Sequence, residues 1–119
     1  MATYTKKLLS ASTSGKGIAV TDDSSADAVV IHTAVAGAAA WDEIWLYAVN
    51  ISATGSKLTL EWGTSTAEAD NIELTIPAES GLVLVIPGLL LNGGLDVQAF
   101  AATDDVITIH GYVNAITDA

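Results

Sequence analysis

The chain repeats one pattern from Glu43 to Val113, in which five to eight strand-forming residues are followed by a short turn and then by another strand. The strand-like runs read EIWLYAVN, SKLTLEWG, NIELTI, GLVLVI, LDVQAFA and VITIHGYV. Short strands at this spacing, with turn residues between them, are typical of an all-β sandwich. The pattern therefore favours a function at surfaces, sheet edges or subunit contacts over one in a reactive pocket.

The first 27 residues differ in composition from the rest of the chain. Residues 1–27 are rich in Ser, Thr, Gly and Lys, which predicts an extended N-terminal arm. The alternative for this segment is an edge strand from Lys6 to Ser12. The body, residues 28–119, begins with a strand over Ala28 to Val35, and we expect the Ala-rich stretch after it to be a loop. About eight strands suit an antiparallel β-sandwich of jelly-roll or Greek-key type.

The alternation of side chains divides the strands into two kinds. SKLTLEW places Leu58, Leu60 and Trp62 toward the core and Thr59 and Glu61 toward water, and NIELTI has the same one wet face. EIWLYAVN and GLVLVI are apolar on both faces. We expect a loop, the arm or a neighbouring subunit to cover the outer face of those two strands.

The charge balance excludes several partners. The 119 residues carry a net charge of -10, with four lysines and no arginine, although half of the residues are hydrophobic. Such a body should repel DNA, RNA and anionic lipid, so no nucleic-acid or membrane partner is expected.

The longest apolar run, Gly81 to Leu91, is far shorter than the roughly 20 residues of a membrane span. With no visible export signal, we expect a soluble protein.

Candidate metal ligands are few. His32 and His110 are the only histidines, and each lies in an alternating strand pattern that predicts a half-buried polar position. The acidic pairs Asp22-Asp23, Asp42-Glu43 and Asp104-Asp105 lack the alternating ligand spacing of a calcium loop, so solvated turns are expected. The sequence therefore predicts neither a metal nor a cofactor.

Candidate catalytic and sugar-binding residues are also few. Glu61 and Glu73 could form a glycosidase carboxylate pair, but both are expected on wet strand faces. No Gly-x-Ser-x-Gly motif is present, and we expect no enzyme. Among the tryptophans, Trp45 and Trp62 are predicted to pack in a core or interface, whereas Trp41, expected in a loop, remains open as a sugar contact.

The segment from Asp42 to Ile116 resembles a known class of viral proteins. The resemblance is carried by DEIWL from Asp42, by IPA from Ile76, by GLVLV and PGL after it, and by FAA and GYVN near the end. These features resemble small structural proteins of tailed bacteriophages, known as head decoration or capsid cement proteins. They cover about two-thirds of the chain.

The resemblance implies a non-enzymatic virion protein, made in the host cytoplasm, that sits on the outer surface of the phage head. Such a protein is commonly a homotrimer, and it clamps neighbouring subunits of the major capsid protein. The alternatives are a receptor- or carbohydrate-binding module of a phage fibre or tail and a small β-sandwich enzyme. The residues predicted to form the subunit or capsid interface are Lys6, Lys7, Leu8, Leu9, Trp41, Trp45, Tyr47, Val83 and Val85.

Overall fold

A computed structural model describes residues 2–64 and 69–118. Helix in this part of the chain is confined to one short 3-10 turn, Ser25–Asp27, and no helix there is long and apolar enough to cross a membrane. The remaining elements are strands: β1 (Ala2–Leu8), β2 (Ile18–Val20), β3 (Val29–Thr33), β4 (Ala40–Asn50), β5 (Ser56–Gly63), β6 (Asn71–Ile76), β7 (Val83–Leu91), β8 (Asp96–Ala101) and β9 (Ile107–Asp118).

The strands form two antiparallel sheets, which confirms the predicted all-β sandwich. Sheet A has the order β1-β9-β4-β7, with β2 also paired to β9, and sheet B has the order β3-β8-β5-β6. The pairs β2 with β9, β3 with β8, β4 with β7 and β5 with β6 are nested around the β5–β6 hairpin. This is the connectivity of a jelly roll, and β1 is an additional strand beyond its eight.

The core lies between the sheets and is built by side-chain alternation. On β4, Ile44, Leu46 and Ala48 point inward and are fully buried, while the residues between them are half-buried on the outer face. On sheet B, Leu58 and Leu60 are buried as predicted. Each buried leucine or isoleucine side chain stabilises the fold by about 1.5–3 kcal/mol relative to an exposed one.

Two glycines allow close approach within sheet A. A Cβ at Gly111 would overlap the carbonyl oxygen of Trp45 on the neighbouring strand. Gly88 has a φ of +82° and lies under the indole of Trp45, where a Cβ would come within 2.8 Å of Cζ2. The pairing of β4 with β7 shifts register twice near this point, so β7 bends around Trp45.

The structure corrects the arm expected over residues 1–27. Residues 2–8 form β1, which pairs with β9 along its whole length, and Ile18–Val20 form β2 on the same edge. Leu9, Ile18 and Val20 are buried in the core, and the Ala11 N–H donates to the Ile31 carbonyl of β3. The few apolar residues of a polar segment thus close one side of the sandwich, which average composition does not reveal.

The structure also corrects the predicted wet face of β5. Thr59 and Glu61 point away from the core as expected, yet each is only 1% exposed. β5 is an inner strand of sheet B, and Ser25 from the 3-10 turn donates a 2.5 Å hydrogen bond to Glu61 Oε2. The segment before β3 therefore contacts the outer face of sheet B. On β6, Ile76 is buried as predicted, but Leu74 is 38% exposed because β6 is an edge strand.

Candidate interaction face of sheet A

The outer face of sheet A carries the aromatic side chains that alternation excludes from the core. On β4 the outward residues include Trp41, Glu43, Trp45 and Tyr47, all half-buried. On β9, Tyr112 is the direct cross-strand partner of Trp45. Strands fix these side chains at regular spacing, so the face is a rigid surface rather than a flexible loop.

A row of contacts crosses this face from β1 to β7. The rings of Trp45 and Tyr112 have centroids 6.2 Å apart and planes within 10° of parallel. Lys6 Nζ of β1 lies 4.9 Å from the centroid of the Tyr112 ring, which is a cation–π contact. The other end of the row is Gly88 of β7, beneath the indole of Trp45. The row thus joins all four strands of the main sheet path.

Glu43 connects the row to the rest of the face. Its Oε1 accepts hydrogen bonds from Trp45 Nε1 at 2.7 Å and from Asn114 Nδ2 at 3.0 Å. These two donors, Asn114 first, lower the pKa of Glu43, because they stabilise the carboxylate more than partial burial disfavours it. Glu43 is therefore a fixed negative charge next to the aromatic pair.

Large apolar side chains are exposed along both edges of the same face. Tyr4 and Leu8 of β1 are 69% and 52% exposed, and Leu84 and Leu90 of β7 are 47% and 51% exposed. Their cross-strand partners, such as Ile116 for Tyr4 and Tyr47 for Leu84, are outward residues of β9 and β4. Exposed apolar side chains at both borders of an aromatic face are typical of an interaction surface.

The structure brings five of the predicted interface residues together on this face. They share an outward position on sheet A and are Lys6, Leu8, Trp41, Trp45 and Tyr47. Trp41, expected in a loop, instead lies within β4, opposite Ile116 of β9. The strand extends further toward its N-terminus than the apolar pattern suggested.

The other four predicted interface residues lie elsewhere. Lys7 pairs with the inward-facing Val113, so it is on the opposite side of β1 from Lys6. Leu9 is buried in the core and offers no surface. Val83 and Val85 are partly buried and pack against the core, which leaves Leu84 as the outward residue between them. The register shifts between β4 and β7, which periodicity does not predict, determine which side chains of β7 point outward.

His32 and Asp42 form a buried contact between the two sheets. His32 Nε2 is 2.7 Å from Asp42 Oδ2, and Asp42 also accepts from the Val35 N–H. The backbone N–H of Ser10 donates to His32 Nδ1, so that nitrogen carries the lone pair and Nε2 carries the proton. Neither ring nitrogen is free to act as a general base. Asp42, expected in a solvated turn, is instead buried on the inner face of β4.

The two histidines are in different environments, and the acidic pairs are not arranged as ligands. His110 lies on the outer face of β9 beside Gly17, whereas His32 is buried against Asp42. Asp104 is exposed, and slight desolvation together with the charges of Asp23, Asp105 and Asp22 raises its pKa, so these carboxylates are close enough to repel one another. Among the described residues, no group of three or more His, Asp or Glu could hold a metal ion.

The two carboxylates considered for glycoside hydrolysis are both engaged. Glu73 forms an ion pair with Lys57 at 3.6 Å, and Glu61 is buried beneath Ser25. Glu61 Oε1 and the Oδ1 of Asn71, its cross-strand partner, are buried and have no hydrogen-bond partner within residues 2–64 and 69–118. These orphaned oxygens are a structural feature of sheet B that its alternation pattern alone did not indicate.

A search for matching protein families, curated proteins and solved structures found no match for this chain. The jelly-roll fold itself occurs in viral capsid and lectin domains, among others, so it does not decide the function. The features of this chain that bear on its function are the outer face and the edges of sheet A.

Proposed function

We propose that the protein is a non-enzymatic decoration protein of a tailed bacteriophage, which binds the outer surface of the capsid and stabilises the head lattice. In this proposal it acts as a homotrimer and contacts the major capsid protein. The observation that carries the proposal is the outer face of sheet A, where an aromatic row lies between two edges of exposed apolar side chains.

The chemistry of this face supports binding to a protein surface. Aromatic residues held on strands bury large areas with little loss of side-chain entropy, and they are enriched at protein interfaces. The net charge of -10 opposes contact with packaged DNA, which agrees with a position outside the shell. The resemblance of residues 42–116 to decoration proteins adds the partner, the major capsid protein.

The experiment is a binding assay on capsids that lack the protein. Purified protein is mixed with empty heads of the phage that encodes it, and bound protein is measured by sedimentation, with head stability measured by heating. We expect saturable binding and a higher disruption temperature. Tyr47→Asp should weaken binding at least tenfold, because it buries an unpaired charge in the interface.

The matched control is Thr75→Asp, an equal charge change on an exposed residue of sheet B. It should leave binding unchanged if sheet A is the docking face. Equal loss in both variants would point to general repulsion instead of a specific face, and absence of binding by the unmodified protein would contradict the proposal.

A second candidate, carbohydrate binding, is favoured by one observation. The nearly parallel rings of Trp45 and Tyr112 lie beside a carboxylate and an amide, Glu43 and Asn114, which is the mixture of groups that binds sugar rings and hydroxyls. A glycan array separates the two functions. Glycan binding that is lost in Tyr112→Ala, together with no affinity for heads, would support this candidate instead.

A further inference from the structure

Both edges of sheet A are open to a further strand. Among the residues that the structure describes, β1 pairs only with β9 and β7 pairs only with β4. Of the nine large apolar side chains exposed in the described part of the chain, five lie on these two strands: Tyr4, Leu8, Leu84, Leu89 and Leu90. An exposed apolar edge strand is a template for pairing with another chain.

The edges of sheet B are less suited to pairing. The β3 edge is occupied in part by the N-terminal segment, since Ala11 donates its N–H to the carbonyl of Ile31. The β6 edge has only six residues and carries Glu73. A charge on an edge strand is a common device against unwanted pairing.

The charges of the two open edges favour contact between copies of this acidic protein. No charged residue occurs from Ser80 to Leu95, so β7 is uncharged along its whole length. β1 carries Lys6 and Lys7, two of the four basic residues. Contact between β1 of one copy and β7 of another therefore avoids the repulsion that a net charge of -10 imposes elsewhere.

Strand direction supports the same pairing. Three antiparallel steps separate β1 from β7, through β9 and β4, so β1 and β7 run in opposite directions. If copies are related by rotation about an axis along the strands, β1 of one copy meets β7 of the next in antiparallel orientation. A head-to-tail contact of this kind gives a ring when the rotation between copies closes, and a closed ring leaves neither edge of sheet A unpaired.

The register across the sheet aligns the two edges on one face. Leu90 pairs with Glu43, Glu43 pairs with Asn114, and Asn114 pairs with Lys6. Lys6 and Leu90 therefore occupy one row on the outer face, with Leu8 two residues away on the same side of β1. In a head-to-tail ring, Leu8 and Tyr4 would come next to the exposed leucines of β7.

We propose that β1 of one copy pairs antiparallel with β7 of the next copy, so that the A sheets of neighbouring copies join edge to edge in a closed ring. The number of copies, three, rests on the proposed function, whereas the edge pairing itself does not. The partner at both edges is a second copy of this chain, independent of any capsid.

Cysteine cross-linking tests the pairing directly, because the chain contains no cysteine. Strand tilt can change which residue of β1 lies opposite Leu90 of the neighbouring copy, but residues on the same face differ by an even number of positions. Leu90→Cys is therefore combined in turn with Tyr4→Cys, Lys6→Cys and Leu8→Cys. After mild oxidation, at least one double variant should run as a covalent trimer on a denaturing gel. Each single variant should remain uncross-linked.

The single variants distinguish this pairing from its main alternative. If Leu90→Cys alone formed a covalent dimer, two β7 strands would be paired about a two-fold axis, and the head-to-tail proposal would be wrong. Failure of all three double variants to cross-link, together with a monomer by light scattering at micromolar concentration, would also overturn it. Binding of that monomer to phage heads would leave the proposed function intact.

A charge substitution provides a second measurement. Leu90→Lys and removal of residues 2–8 should each convert the assembly to a monomer in light scattering, because both act on an exposed edge. The control, Leu74→Lys, changes an exposed leucine on the edge of sheet B and should leave the assembly intact. Circular dichroism should show unchanged strand content in Leu90→Lys and Leu74→Lys, and a strand content lower only by that of β1 in the truncated variant. An intact assembly in either edge variant would contradict the proposal.

Discussion

At the scale of single residues, polar side chains hold distant parts of the chain together. The His32–Asp42 contact joins β3 of sheet B to β4 of sheet A, and the Ser10 N–H fixes the orientation of the imidazole. Asn50 is fully buried and donates to the carbonyls of Thr54 and Ile76. Because buried polar groups are costly without partners, these bonds define one arrangement of the sheets.

Glu61 is the residue for which the structure predicts a stabilising substitution. Glu61→Gln keeps an oxygen that accepts from Ser25 and adds an N–H donor where Glu61 Oε1 and Asn71 Oδ1 have no partner. We expect the free energy of unfolding at pH 7 to rise by about 1–3 kcal/mol, the usual penalty of an unsatisfied buried group. Urea unfolding measures it, with Glu61→Ala as a destabilised control. A lower stability for Glu61→Gln would mean that the added N–H donor finds no acceptor at this site.

Glu43 is expected to make stability depend on pH. Its pKa is lowered from the ordinary value of 4.5, so its stabilising contribution is fully present above that pH and is lost as the pH falls through the lowered pKa. Glu43→Gln should therefore be slightly less stable than the unmodified protein at pH 7, by up to about 1 kcal/mol. Urea unfolding from pH 7 to pH 3 should show the difference shrinking. A difference independent of pH would contradict the role of the charge.

The residues that sequence reasoning placed correctly are those that follow regular alternation. Leu58 and Leu60 point inward as predicted, and Trp45 and Tyr47 share one face of their strand, as period two predicts, although the pattern did not say that this face is the outer one. Asp42 has the same parity as the buried Ile44, so a longer reading of that strand could have placed it inside. His32 could not be placed this way, because a register shift between Val30 and His32 directs it inward next to Ile31.

At the scale of elements, average composition gave a wrong prediction for the N-terminal segment, because only a few of its residues pack in the core. The first 20 residues are polar on average, but Leu9, Ile18 and Val20 reach the core. Six strand-like runs were evident between Glu43 and Val113, and each corresponds to a strand of the structure. The order of strands depends on contacts between residues far apart in sequence, and no local pattern specifies it.

The N-terminal segment yields a prediction from two adjacent leucines. Leu9→Ala should lower the free energy of unfolding by about 2–5 kcal/mol, because Leu9 is fully buried and the substitution leaves a cavity. Leu8→Ala is the matched control, since Leu8 is 52% exposed, and it should change monomer stability little. Both are measured by urea unfolding in the monomeric Leu90→Lys background. Equal effects would mean that residues 2–20 are not divided into an edge strand and a core segment.

At the scale of the whole molecule, charge and apolar surface are separated. The stretch from Ser80 to Leu95 has no charge, while Asp22, Asp23, Asp104 and Asp105 are near one another in loops. Concentrated like charge in a loop disfavours the compact state, whereas an uncharged edge permits contact between copies. This distribution of charge therefore favours association between copies at the uncharged edge over association at the acidic loops.

The loop carboxylates give a pH dependence opposite in sign to that of Glu43. Slight desolvation and the neighbouring aspartates raise the pKa of Asp104 above its ordinary value of 3.8, so the folded chain binds this proton more tightly than the unfolded chain. The cost is present above the raised pKa and is relieved as the pH falls through it. Asp104→Asn should raise the Tm slightly at pH 7 and have no effect at a pH well below 3.8.

Salt distinguishes this electrostatic explanation from a packing effect. In about 0.5 M NaCl the Debye length falls below the roughly 10 Å it has at 0.1 M, so the benefit of Asp104→Asn should shrink. Glu79→Gln removes the same charge at a residue that is not among those acting on Asp104, and it should raise the Tm less. Melting curves at low and high salt measure both. If the benefit of Asp104→Asn were the same at both salt concentrations, repulsion among the loop aspartates would not be its cause.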